Sequence, residues 1–386
     1  MQLGLSESLP ALVARRFHTA KDAGHLVFSP TQLTTLHVGG IPYQLRYCPA
    51  LAKKPSAKPT DPPPGPKPDP FEDPSADLLL ARIPAENPTH TLVLNKFPVI
   101  PNHFILATSA WKAQTDLLEA RDLEVTYACL KAWEETASHG SHGSHGSHGS
   151  HNGQRNRRLF AFFNSGEHSG ASQPHRHLQF LPVEDMRGDG GEPHDEAGWQ
   201  PLIDLISAAA TAPHSASHSA ASSPPMPPSD RSEYLHLHSL PFAHYALPIP
   251  ADPSPETLHA TYLSLYNAAL AVAKLFSEVS RDQVDSSLPL TQGPAAAISY
   301  NLSMTVDTML ICPRRNETAS VPVDSTARDQ VLGAGQISLN GTILAGTLMV
   351  KAHAEWDQLR KNHDTLTQVL TTIGFPRSDR HEVSFL

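Results

Sequence analysis

The chain has 386 residues, 36 of them proline, 39% hydrophobic side chains, and a formal net charge of −9 from 29 basic and 38 acidic residues. That length builds one large domain or two ordinary ones, and proline far above a typical ~5% marks insertions around the core. The acidic balance excludes a non-specific nucleic-acid binder, which needs a broad basic surface. No window reaches the ~18 consecutive apolar residues of a membrane span. Three cysteines, Cys48, Cys129 and Cys312, form no CxxC pair, so neither a disulfide framework nor a cysteine zinc site is suggested and a reducing compartment is expected. MQLGLSESLPALVARRF at the start lacks the apolar run of a secretory signal. The expected location is the cytoplasm, with the nucleus as a second address.

In chain order, the proline-rich KKPSAKPTDPPPGPKPDPFEDP (53–74) reads as an extended, solvated linker. DLLLARI (77–83), HTLVLNKF (90–97) and HFILAT (103–108) read as strands separated by turn residues. The spacing of leucines and aromatics over 110–137 predicts a helix. A Ser-His-Gly repeat follows, with histidines at 139, 142, 145, 148 and 151. RRLFAFFNSG (157–166) and HRHLQFLPV (175–183) read as strands. A third segment, from about Arg187 to Asp230, is rich in Gly, Ser, Ala and Pro, and only LIDLISAAA (202–210) looks helical. All three low-complexity segments read as insertions that bury too little apolar surface to offset their ordering entropy.

Beyond them, FAHYALPI (242–249) reads as a strand, and 254–279 as a long amphipathic helix that Ser254 and Glu256 open. AISYNLSMT (297–305) and TMLICPR (308–314) form a predicted hairpin, 336–346 a strand or loop, and 350–373 a closing helix. Without regular crossover helices between strands, the class is α+β: an antiparallel sheet with flanking helices and disordered insertions. The expected division is a catalytic part over 1–186, with low complexity near 53–76 and 138–156, a linker over 187–233, and a C-terminal part over 234–386 that completes the fold.

GASQPHRHLQF (170–180) carries the chemistry. On a strand, His175, His177 and Gln179 share one face while Arg176, Leu178 and Phe180 take the other. Three polar side chains on one face predict a wet pocket, since burial without partners is costly. Two histidines at i, i+2 can share a zinc ion, but the sequence offers no clear third ligand. The H-x-H at His236 and His238 in LHLHSL shows that such a pair alone is weak evidence. The preceding loop, NSGEHSGASQP, is rich in small and amide side chains and can bring N–H groups close to phosphate oxygens. A phosphate cradle running into two histidines points to chemistry on phosphorus with neutral histidine as nucleophile.

H-x-H-x-Q after such a loop resembles the nucleotidyltransferase branch of the histidine-triad superfamily. That branch holds galactose-1-phosphate uridylyltransferase and the fungal-type diadenosine tetraphosphate phosphorylases (ATP adenylyltransferases). YQLRYCPALAKKP (43–55), THTLVLNKFPVIPNHFILAT (89–108), FFNSGEHSGASQPHRHLQFLP (162–182), SYNLSMTVDTMLICPRR (299–315) and AGTLMVK (345–351) are similar to the phosphorylases in particular. The resemblance implies the histidine-triad-like nucleotidyltransferase fold. It makes His177 the nucleophile toward an α-phosphorus, His175 an orienting group, and Gln179 a donor to a non-bridging oxygen where hydrolases carry a third histidine. It places substrate contacts at Lys54 (less surely Lys53), Asn95, Lys96, Asn164, Gly170, Ala171, Ser172, Gln173, Asn301, Met304, Arg314 and Lys351. It implies reversible phosphorolysis of diadenosine tetraphosphate to ADP and ATP through an AMP-histidine intermediate, with magnesium carried on the polyphosphate. The implied partners are nucleotides and inorganic phosphate, not nucleic acid or membrane, and the implied state is a monomer. Asn340-Gly341-Thr342-Ile343-Leu344 departs from the family pattern near the expected adenine pocket. The alternatives are a hexose-1-phosphate nucleotidyltransferase, or a non-catalytic nucleotide- or metal-binding protein in which the histidine repeat holds nickel or zinc.

Overall fold

A computed structural model describes residues 2–53, 68–134, 157–188, 198–211, 234–277, 295–324, 326 and 331–377. The chain opens with α1 (Leu9–Asp22), β1 (Gln32–Val38) and β2 (Ile41–Tyr47), then runs through β3 (Leu79–Ile83), β4 (His90–Leu94), β5 (Phe104–Thr108), α2 (Ala120–Glu134), β6 (Leu159–Ser165) and β7 (His177–Pro182). After the short α3 (Val183–Met186) and α4 (Leu202–Thr211) come β8 (Tyr245–Pro248), α5 (Pro255–Ser277), β9 (Tyr300–Met304), β10 (Thr308–Pro313), β11 (Thr318–Ser320) and β12 (Gln336–Ser338). A 3-10 turn (Gly341–Ala345), β13 (Thr347–Val350), α6 (His353–Lys361) and α7 (His363–Ile373) follow.

Eight strands form one sheet in the order β3-β4-β5-β7-β6-β9-β10-β8, and every neighbouring pair is antiparallel. This is the predicted α+β class. A second, three-stranded sheet, β1-β2-β13, pairs β1 with β2 antiparallel and β13 with β2 parallel.

Strand parity sorts the main sheet into two faces. Leu92, Leu94, Phe104, Leu106, Leu178 and Phe180 pack beneath α1, α2 and α5 in one apolar cluster. On the opposite face Phe160, Phe162, Leu181 and Leu310 meet the small sheet, α4, α6 and α7 in a second cluster. That cover does not extend over β4 and β5. There Val93 and Ala107, flanked by Leu79 and Ile105, are covered by Phe71 instead. The HRHLQ strand runs along the seam between the two covers.

Several expectations need correction. The helix predicted over 110–137 begins only at Ala120; the residues before it run extended beside the motif, with Ala113 bridging His175 and Lys112 O accepting from Arg176 N–H at 2.8 Å. The closing helix breaks at Asn362, which ends α6 and whose Oδ1 caps α7 by accepting the Asp364 N–H at 3.0 Å. The proline-rich stretch ends in packed structure, since Phe71 is buried. The third segment likewise buries Trp199, Leu202, Ile203 and Ile206. In both, a few apolar side chains outweigh a composition averaged over the whole segment. Ser254 caps α5 as expected, its Oγ accepting the Thr257 N–H at 3.2 Å. The histidine repeat and most of the other two insertions lie outside the described residues.

Candidate active site

His177 opens β7, where β6 and β7 part company. Their ladder ends at Phe162 opposite Gln179, after which β6 continues against β9, with Asn164 opposite Asn301. The Gln114 side chain fills the gap. Its Oε1 accepts the His177 N–H at 2.7 Å, and its Nε2 donates to the carbonyls of Asn164 and His177 at 2.7 and 3.2 Å. One amide therefore satisfies three backbone groups that the diverging strands would otherwise leave bare.

The His177 ring is oriented by its neighbour. Nδ1 lies 2.8 Å from His175 O; a carbonyl only accepts, so Nδ1 carries the proton and Nε2 keeps its lone pair. Among the described residues Nε2 has no hydrogen-bond partner. Burial pushes the ring down to about 4, against a smaller upward pull from the carbonyl of His175. The histidine is neutral, tautomerically fixed and only 2% exposed. The predicted wet pocket is thus a buried one, for His175 is 1% exposed as well. Its polar atoms are paid for by partners: Nδ1 meets Asp69 Oδ2 at 2.6 Å and Nε2 meets Thr108 Oγ1 at 3.0 Å.

Gln179 is the only partly exposed member of the three, and a relay sets its amide. Asn95 Oδ1 accepts the Phe97 N–H at 2.9 Å, so Asn95 Nδ2 faces His103 Nδ1 at 3.0 Å. An amide nitrogen only donates, which makes His103 Nδ1 an acceptor and places its proton on Nε2. Nε2 then donates to Gln179 Oε1 at 3.1 Å. The Gln179 NH2 is left without a partner among the described residues. Asn164 is aimed in the same way. Its Oδ1 accepts from Asn301 Nδ2 at 2.9 Å and from Gly341 N–H at 2.8 Å, and its Nδ2 is buried without a partner. Two amides, Gln179 and Asn164, thus have their oxygens engaged and their NH2 groups left without a partner among the described residues.

The other face of the strand is an anchor. Arg176 bonds Asp122 at 2.8 Å and Glu119 at 3.1 Å, and Asp122 also meets His90 Nε2 at 2.9 Å. Burial raises the Asp122 carboxyl, but His90, the Glu119 N–H and Arg176 together hold it below its ordinary range.

Other predicted contact residues have structural duties. Asn301 has its amide fully engaged: Nδ2 donates to Asn164 and to Ser169 O, and Oδ1 accepts from Arg314. Arg314 is itself buried, spread over the carbonyls of Asn316, Glu317 and Leu339, and burial lowers it to about 10. Asn301 thus holds Asn164, and Arg314 holds Asn301. Met304 sits in the core beneath the helices, on the face opposite Asn301, because odd and even positions of β9 diverge. Asn95 works through His103. Lys96 is exposed, its ammonium 5.7 Å from the Phe97 ring centroid, and Lys351 directs its ammonium toward Gly333. Gly170, Ala171, Ser172 and Gln173 form an open rim before the motif. Gly170 has φ +77°, and a Cβ there would stand 2.8 Å from Asn340 Cβ. The departing 340–344 segment is therefore packed against the loop and, through Gly341, against Asn164. Lys54 and the side chain of Lys53 lie outside the described residues. Asp69, Phe71, His103, Thr108 and Gln114 join the site unannounced, although Asn-x7-His (95 to 103) was readable as one hairpin.

A buried, neutral histidine with Nδ1 held by a carbonyl and Nε2 open has the state a nucleophile toward phosphorus needs. The Ap4A phosphorylase N-terminal domain matches residues 2–153 and 154–192, and the ATP adenylyltransferase C-terminal domain matches residues 238–376. Two Saccharomyces cerevisiae proteins, Protein APA1 and diadenosine 5',5'''-P1,P4-tetraphosphate phosphorylase 2, are each 25% identical, with 97% of both chains covered. The crystal structure of yeast Ap4A phosphorylase Apa2 superimposes with a TM-score of 0.68 at 24% identity, covering 97% of this chain and 99% of that one. The chain belongs to the fungal-type Ap4A phosphorylase (ATP adenylyltransferase) family.

Proposed function

We propose that the protein phosphorolyses diadenosine tetraphosphate to ADP and ATP, reversibly, through a covalent AMP–His177 intermediate. The observation that carries this is the lone pair on His177 Nε2, free and unprotonated, with the Nδ1 proton held by the His175 carbonyl. Nε2 attacks the α-phosphorus, the bond to the bridging oxygen breaks, and ATP leaves with that electron pair. The ring becomes a cation as it is adenylylated, and the Nδ1–H···O bond strengthens to meet the charge. Gln179 Nε2 and Asn164 Nδ2 donate to the non-bridging oxygens, where charge is held in the transition state. Inorganic phosphate then attacks the adduct and ADP departs. Neither amide can act as a general base, which favours phosphate, already an oxyanion, over water. Magnesium arrives on the polyphosphate as part of the substrate.

The test is product analysis with the intact protein and His177→Ala, using diadenosine tetraphosphate and magnesium with and without inorganic phosphate. ADP plus ATP, requiring both phosphate and His177, supports the reading. AMP plus ATP without phosphate makes the protein a hydrolase and refutes the role given to Gln179. Turnover of nucleoside-diphosphate sugars in its place makes it a hexose-1-phosphate transferase.

A further inference from the structure

The proline-rich stretch ends inside the active site, and its last residues are not spacers. The Asp69 carboxylate uses both oxygens: Oδ2 lies 2.6 Å from His175 Nδ1, and Oδ1 accepts the Phe71 N–H at 2.9 Å. The Phe71 ring is held against both histidines, with centroids 5.1 Å from His177 at 38° and 5.8 Å from His175 at 77°. The far nitrogen of His175 meets Thr108 Oγ1. His175 is thus clamped at both ring nitrogens, and its carbonyl is the acceptor that fixes the His177 tautomer.

We propose that Asp69 is a positioning residue for the nucleophile, acting through His175 and seating Phe71 over His177. This rests on His177 being the nucleophile. Asp69 touches no reacting atom. A carboxylate accepts at both oxygens, so it requires the His175 proton on Nδ1 and leaves Nε2 to accept from Thr108. The same carboxylate closes the turn that delivers Phe71. An apolar ring over the nucleophile keeps water from the adduct and the imidazole desolvated. The arrangement resembles the carboxylate that orients a metal-ligating histidine in other proteins, where removal typically reduces metal affinity or activity on the order of 10- to 100-fold.

Asp69→Asn is the informative change, since it keeps the shape and offers only one acceptor. Expected are a kcat lower on the order of 10- to 100-fold, a KM within about threefold, and a melting temperature close to that of the parent protein. Asp69→Glu should recover part of the loss. An activity-independent readout accompanies it: in 15N-histidine NMR, the parent protein should show His175 protonated on Nδ1, and Asp69→Asn should move that proton to Nε2. An unchanged kcat, or a loss matched by a fall in melting temperature with the tautomer unmoved, overturns the positioning role. Should the parent protein itself show no phosphate-dependent turnover, the functional reading fails, while the NMR result still decides what Asp69 does to His175.

Discussion

Acidification is the sharpest probe of the buried histidines. His177 and His244 are both pushed down to about 4 by burial, from an ordinary 6.5. The unfolded chain therefore binds protons below pH 6.5 that the folded protein refuses until pH falls to about 4. Stability is fully present above 6.5 and is lost as pH drops through that window. At pH 5, an unfolded histidine of pKa 6.5 is almost wholly charged and one held at 4 is about one-tenth charged. The linkage relation then gives a loss of about 2 kcal/mol per histidine relative to pH 7.5. The assay is urea unfolding of the parent and His177→Gln at the two pH values. The variant should lose less between them by about 2 kcal/mol, because glutamine does not titrate. In parallel, the acid limb of kcat/KM should fall near pH 4, where the nucleophile first gains its proton. Equal pH decrements in parent and variant, or an acid limb at 6.5 assigned to His177, would refute the argument that burial keeps the nucleophile neutral.

Three further outcomes follow from the hydrogen bonds. Gln179→Ala removes the proposed donor to the phosphate oxygens and should lower kcat about 10²- to 10³-fold, with binding of nucleotide retained in calorimetry. His103→Phe releases the Gln179 amide and should lower kcat about 10-fold or more, read in the same phosphorolysis assay. Gly170→Ala places a Cβ 2.8 Å from Asn340 in a left-handed backbone and should cost about 1–3 kcal/mol in urea unfolding, read against an alanine substitution at exposed Ser172 as control.

The strand alternation of HRHLQ was legible because period two needs only five residues to show. It placed Arg176 on the back of the sheet and Gln179 on the front, where they are. The strands around it were legible for the same reason. Asp69 and Phe71 were not, because a proline-rich composition describes the average of a segment and their importance comes from contacts about a hundred residues away. Gln114 was hidden inside a periodic pattern: Leu117, Leu118 and Leu123 extend the helical spacing backward, whereas the residue's side chain bonds three backbone groups where two strands part. The hydrogen bonds that join Arg314, Asn301 and Asn164 were not legible either, because residue type alone does not say which amide holds another in place.

The hydrogen bonds onto Asn164 have a consequence for how such a protein can change. His177 and its motif lie in the segment matching the N-terminal family domain, while Asn301, Arg314 and Gly341, which together aim Asn164, lie in the segment matching the C-terminal one. The setting of Asn164 therefore depends on both segments. A replacement in the C-terminal segment that shifts Gly341 turns the Asn164 amide with every residue of H-x-H-x-Q unchanged. The 340–344 stretch therefore acts on Asn164 and Gly170 across the boundary between the two matched segments.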